Sequence, residues 1–154
     1  MNKKVLFITD TLEELDLKKD TSILMMEESI KLGFDVYQCL VEDLYAENSE
    51  VIVFAKKITT AGSSEIKFED ASTHSIKTFE YSFMRKDPPV DEDYINALHL
   101  LGLAQAMGTK VFNNPVSIKE FNEKVFAIHF AKYIPETLIS SKIDNIKSFI
   151  KAFL

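Results

Sequence analysis

Two short apolar runs, Lys4 to Thr9 and Phe34 to Leu40, bracket a helical segment within about 35 residues, and this arrangement constrains the architecture more than any other stretch of the chain. The first run is bounded by charge on both sides, as expected of a strand buried on both faces. After a polar loop, helical spacing begins near Asp20. Ile23, Met26 and Ile30 fall on one face, and Leu32-Gly33 supplies a glycine stop. Strand, helix and strand in that order predict a βαβ unit with a parallel sheet and a right-handed crossover.

From Glu42 to Glu80 the pattern changes. Val51, Val53 and Ala55 alternate with other residues, Ala61 to Ser64 resembles a turn, and Ile66 and Phe68 alternate again. The segment reads as a peripheral excursion of short antiparallel strands and loop, the least regular part of the chain. Phe79 to Met84 returns to the central sheet. Asp91 to Met107 carries Tyr94, Ala97, Leu98, Leu101 and Ala104 at helical spacing, opens on three acids and closes at Gly108. Lys110 to Phe112 is a short strand, and Asn113-Asn114-Pro115 turns into a short helix near Ser117. A further helix is expected from Asn122 to Lys132, a strand from Thr137 to Ser140, and a last helix whose stripe is Ile143, Ile146, Phe149, Ile150, Phe153 and Leu154. No internal repeat or low-complexity tract is visible.

The chain has 154 residues, 46% of them hydrophobic and including 12 Phe, which is enough to close one core. A net charge of -6, with no basic patch interleaved with aromatics, argues against nucleic acid or an anionic membrane as partner. Cys39 is the only cysteine and lies in an apolar run, so it reads as a core residue, and a cytoplasmic setting follows from the absence of a disulfide framework. The N-terminal apolar run ends at Asp10, too short for a signal segment or a membrane span. His74, His99 and His129 lack metal-ligand spacing, and no zinc site can be assembled from them and Cys39. The acidic clusters Glu13-Glu14-Leu15-Asp16 and Asp91-Glu92-Asp93 read as solvated faces.

The most specific string is Met84-Arg85-Lys86-Asp87-Pro88-Pro89. Proline fixes its own φ, donates no hydrogen bond and holds the preceding residue extended, so the charged triplet is presented rigidly where a strand stops. In open α/β sheets ligands bind at that edge. The plain alternative is a surface turn with solvated charges.

This string resembles one in bacterial glutathione synthetases. So do Asp10 after the first strand, Leu17-Lys18-Lys19-Asp20-Thr21, Glu42-Asp43-Leu44-Tyr45, Gly108-Thr109, Asn113-Asn114-Pro115 and Asn122-Glu123-Lys124, in order and over nearly the whole chain. Thr11, Val116 and His129 depart from the family's usual proline, arginine and aromatic. The resemblance implies an α/β fold with two parts. Residues 1–121 would form a Rossmann-like, mostly parallel sheet flanked by helices, the substrate-binding domain that precedes an ATP-grasp domain. Residues 122–154 would be the opening helix, strand and helix of a truncated ATP-grasp domain.

The resemblance further implies a ligase that joins γ-glutamylcysteine to glycine with ATP and Mg²⁺ through an acyl phosphate, and that is a homo-oligomer when complete. Of its nucleotide machinery only Lys124 is found here. The four glycines are isolated and none sits in a phosphate-cradling run, so the metal ligands and phosphate loop are expected beyond Leu154, with no catalytic or metal-binding residue in this chain and no activity by the chain alone. Arg85 is expected on a substrate carboxylate, because its planar fork suits bidentate binding. Lys86 belongs to the same triplet, and Asp87 would fix the loop or meet the α-amino group. Lys18 and Asp20 stand at the mouth of the first helix, where Asp20 is equally suited to be an N-cap. Asn113 and Asn114 would line the same cleft or serve as ordinary turn residues. Two other readings remain: a stand-alone binding or regulatory module without ATP chemistry, and a related ATP-grasp carboxylate-amine ligase with other substrates. A receiver domain fails for want of a second acid beside Asp10.

Overall fold

In the computed structural model, which describes residues 2–152, β1 (Lys4–Ile8) runs through the middle of the sheet and its residues from Val5 to Ile8 are buried. The chain then enters α1 (Thr21–Lys31) and returns as β2 (Asp35–Cys39), parallel to β1, with Lys4 opposite Asp35 and Ile8 opposite Cys39. α1 starts where Asp20 accepts the Ser22 N–H, and it ends before Gly33, whose φ of +83° suits a residue without a side chain. Ile23 and Met26 are buried beneath the helix as its periodicity requires, and Ile30 is half-buried.

The segment after β2 departs from the sequence reading. A single turn of 3₁₀-helix at Val41–Asp43 leads into β3 (Leu44–Glu47), β4 (Glu50–Ala61), β5 (Ile66–Phe68) and β6 (Ser72–Ser75). β4 is neither short nor peripheral. Its 12 residues make it the longest strand of the fold, and it pairs antiparallel with β2 and with β3, β5 and β6. Its buried residues, Val51, Val53, Ala55, Ile58 and Ala61, go from a two-residue to a three-residue step after Ala55, and its register with β5 shifts between Ile58 and Thr60. The turn expected from Ala61 to Ser64 does separate two antiparallel strands, with bends at 62–64 between β4 and β5.

β7 (Tyr81–Met84) lies on the other side of β1, parallel to it, with Val5 opposite Tyr81 and Ile8 opposite Met84. α2 (Glu92–Ala106) crosses back to β8 (Val111–Phe112), parallel to β7. Its N-cap is Asp91, which accepts the Tyr94 N–H, and all five positions anticipated to face the core, Tyr94, Ala97, Leu98, Leu101 and Ala104, are buried. Fully burying a leucine contributes about 1.5–3 kcal/mol, so Leu98 and Leu101 anchor this helix. The sheet order is β3-β4-β2-β1-β7-β8. One core lies on the α2 face around Leu6, Ile8, Cys39, Met84 and Val111, and the other on the α1 face around Val5, Phe7, Val36 and Ile58. Cys39 is buried, and desolvation pushes its thiol pKa well up, as expected of a core residue.

The chain divides into two units, one up to Ile118 and one from Lys119 onward, so the boundary falls inside α3 (Pro115–Glu120). In the second unit the helix anticipated from Asn122 is shorter than its pattern suggests. α4 (Glu123–Phe126), capped by Asn122, gives way to 3₁₀ geometry over Ala127–Tyr133, with a kink at Phe130. No strand forms over residues 137–140, because no described residue pairs with them. α5 (Ile143–Lys151) is present, but Ile143, Ile146 and Ile150 of its stripe are exposed, at 67%, 40% and 52%. Phe153 and Leu154 lie outside the described residues. No described helix is long and apolar enough to cross a membrane.

Candidate functional site

β1 is where the chain changes direction. From its C-terminal end one connection leads to β2 on one side, and the chain later returns as β7 on the other. A crevice at such a switch point is the place an open parallel sheet offers a ligand. The residues at its mouth are Asp10 after β1, Asp20 and Ser22 at the start of α1, and Arg85, Lys86 and Asp87 after β7.

Asp10 holds this edge together. Its Oδ1 lies 2.6 Å from Lys86 Nζ, and its Oδ2 accepts the Asp87 N–H at 3.0 Å. The side chains of Lys86 and Asp10 are only 19% and 22% exposed. The hydrogen bond to Asp10 raises the Lys86 pKa above that of an ordinary lysine against the opposing effect of burial. The Lys86 ammonium also donates to the Asp87 carbonyl at 2.8 Å, and the Arg85 N–H donates to the Ile8 carbonyl at 2.8 Å, extending the β1–β7 ladder by one residue.

Arg85 differs from its neighbour. It is the only arginine of the chain and is half-buried, and its Nε–H points to the buried Ser22 Oγ at 3.4 Å, a long hydrogen bond. Among the described residues no carboxylate forms an ion pair with its guanidinium. Ser22 is itself placed by Asp20, whose Oδ1 accepts the Ser22 N–H at 2.7 Å. The N-cap role open to Asp20 is therefore realised, on the same turn that faces Arg85.

The other anticipated residues make none of these contacts. Lys18 is exposed and lines a shallow depression with Glu27 and Ser63. Asn113 and Asn114 follow β8 at the same edge of the sheet, but Asn114 Oδ1 accepts the N–H groups of Val116 and Ser117 at 2.9 and 3.1 Å, making it the cap of α3. Lys124 belongs to the second unit, where its Nζ lies 2.6 Å from Glu123 Oε1 and both side chains are more than three-quarters exposed. Among the described residues no three His, Cys, Asp or Glu side chains converge as a metal ion requires.

Sequence reading left two participants out of the site, Asp10 as the clasp of the triplet and Ser22 as the neighbour of Arg85. For the first the signals were an acid after a buried strand and its place among the positions that carry the family resemblance. A serine in the first turn of a helix gives none.

A mixed sheet whose β2, β1, β7 and β8 are parallel, with helices on both faces and a charged cluster at its switch point, defines an α/β domain. Residues 3–119 match the family described as prokaryotic glutathione synthetase, N-terminal domain, and the chain belongs to that family. It is 32% identical to the glutathione synthetase of Parasynechococcus marenigrum (strain WH8102) over 146 residues, covering 95% of this chain and 47% of that protein. Against the glutathione synthetase of Prochlorococcus marinus subsp. pastoris the identity is 33%, with the same coverage. For that of Neisseria meningitidis serogroup A it is 32% over 154 residues, covering 96% and 48%. The chain spans about half the length of these curated relatives.

Proposed function

We propose that this chain is the N-terminal, substrate-binding portion of an ATP-dependent ligase that joins γ-glutamylcysteine to glycine, and that the crevice at the β1–β7 edge receives γ-glutamylcysteine. The observation that carries the reading is the guanidinium of Arg85, without a carboxylate partner among the described residues, at the switch point of a chain belonging to the glutathione synthetase family. A planar guanidinium suits a carboxylate, and the dipeptide carries two. Asp87 is exposed beside it and would meet the α-ammonium group, while Asp20 and Ser22 hold the guanidinium in place. Lys18, Lys86, Asn113 and Asn114 are the further contacts proposed around this edge.

ATP and Mg²⁺ supply the energy and charge cover for carboxylate activation in such a ligase, and we assign them to residues outside this chain. The Lys124 ammonium, paired with Glu123, would join the nucleotide site only as part of a larger assembly. Exposed Phe121, Phe130, Ile143 and Ile150 in the second unit favour a larger protein over a stand-alone binding module.

The test is an immunoblot of source cells with an antibody against this chain, beside a ligase assay on the same fraction. A band well above 17.6 kDa that co-purifies with ATP- and glycine-dependent consumption of γ-glutamylcysteine is the expected result. A 17.6 kDa band without ligation would overturn it.

A further inference from the structure

The ends of β1 and β7 and the start of α1 carry two cations, Arg85 and Lys86, and three carboxylates, Asp10, Asp20 and Asp87. They are not equivalent. Asp10 engages Lys86 at 2.6 Å through one oxygen and the Asp87 N–H at 3.0 Å through the other. Asp20 accepts the Ser22 N–H and sits on the end of α1 that would otherwise attract an anion. Arg85, Asp20 and Asp87 have no ion pair among the described residues; of these, Asp20 is engaged by the Ser22 N–H at the start of α1, which leaves Arg85 and Asp87 as the charges open to an approaching molecule. To an approaching molecule the edge therefore offers one cation and one carboxylate.

Strand ends and helix N-termini of this kind bind phosphate in many α/β proteins, because backbone N–H groups and added lysines converge on the anion. Here both features are present and both are occupied by aspartates. We propose that Asp10 is a specificity-determining residue: by cancelling Lys86 and taking the Asp87 N–H, it makes the crevice select a zwitterionic α-amino acid group and reject phosphate. The inference deepens the γ-glutamylcysteine reading and rests on it for the identity of the accepted ligand, while the rejection of phosphate stands apart and can be tested separately.

The experiment uses the full chain labelled with ¹⁵N, titrated with inorganic phosphate and, separately, with γ-glutamylcysteine, following the backbone N–H signals of residues 85–87. In the unsubstituted chain phosphate is expected to cause no saturable shift there. Asp10→Asn keeps the size of the side chain and an acceptor for Asp87 but frees the Lys86 ammonium. It is expected to bind phosphate at least tenfold more tightly and the dipeptide several-fold more weakly. Adding Lys86→Met to Asp10→Asn is expected to abolish the phosphate gain. Should Asp10→Asn lose the fold, Asp10→Ser removes the same charge and carries the same comparison.

Phosphate binding at residues 85–87 of the unsubstituted chain would overturn the proposal, as would a gain that survives loss of Lys86 or no gain at all. If phosphate behaves as expected and the dipeptide does not bind, selectivity against phosphate stands and the γ-glutamylcysteine reading fails.

Discussion

Lys86 and Asp10 meet at 2.6 Å across the gap between β7 and β1, and the same carboxylate takes the Asp87 N–H at 3.0 Å. One side chain after the first strand thereby fixes two consecutive residues that follow a strand more than seventy positions later. The arrangement leaves Arg85 without a carboxylate partner among the described residues.

Removing Asp10 leaves a largely buried ammonium and a backbone N–H without their partner. Asp10→Ala is expected to cost about 1–3 kcal/mol in urea unfolding, with the slope of the transition unchanged. Lys86→Met is expected to cost less, because the Asp87 N–H keeps its acceptor.

The same pair sets an alkaline dependence. The Lys86 pKa is raised above 10.5 by its hydrogen bond to Asp10, so its stabilisation is complete below the unfolded-state value and disappears as pH climbs through the higher folded-state value. The stability difference between the unsubstituted chain and Lys86→Met should stay level from pH 8 to about 10 and close above that. A difference already shrinking at pH 8 would contradict the assignment.

His74 sets an acid dependence of the opposite sign. Its ring lies edge-on to Tyr37 and Phe79, with centroids 4.8 and 5.7 Å away, and burial first, then Lys4, lowers its pKa below 6.5. The unfolded chain binds the proton more readily, so stability present above the unfolded value is lost as pH falls through the folded one. His74→Phe keeps the aromatic contacts and is expected to flatten the stability profile between pH 7 and pH 5, read from thermal unfolding.

Asp20 and Asp91 both cap helices, and replacing either with alanine is expected to cost about 1 kcal/mol. They should differ in binding. Asp20 places Ser22 against Arg85, so Asp20→Ala should also weaken γ-glutamylcysteine, whereas Asp91→Ala should not.

Where local pattern and final packing agree, the fold was readable from the chain. α2 is the clearest case, since Tyr94, Ala97, Leu98, Leu101 and Ala104 form one face and all are buried. The length of β4 was obscured because its inward residues leave strict alternation after Ala55, so the sequence pattern shows a short strand at Val51 to Ala55 and not the full span to Ala61. Residues 137–140 have strand-like composition, but a strand exists only where another pairs with it. At the site, Arg85 stood out through its proline frame. The importance of Asp10 depends on β7 lying beside β1, with Ile8 opposite Met84, a long-range pairing that local sequence does not encode.

The central claim is that Arg85 receives a carboxylate of γ-glutamylcysteine, and a titration of the ¹⁵N-labelled chain with that dipeptide, observing the Arg85 Nε–H, tests it most directly. The expected result is a saturable shift of that signal together with those of residues 10, 20–22 and 85–87, lost in Arg85→Lys without a change in unfolding temperature. Saturable binding that leaves the Arg85 signal unmoved, or that survives Arg85→Lys unchanged, would contradict the account.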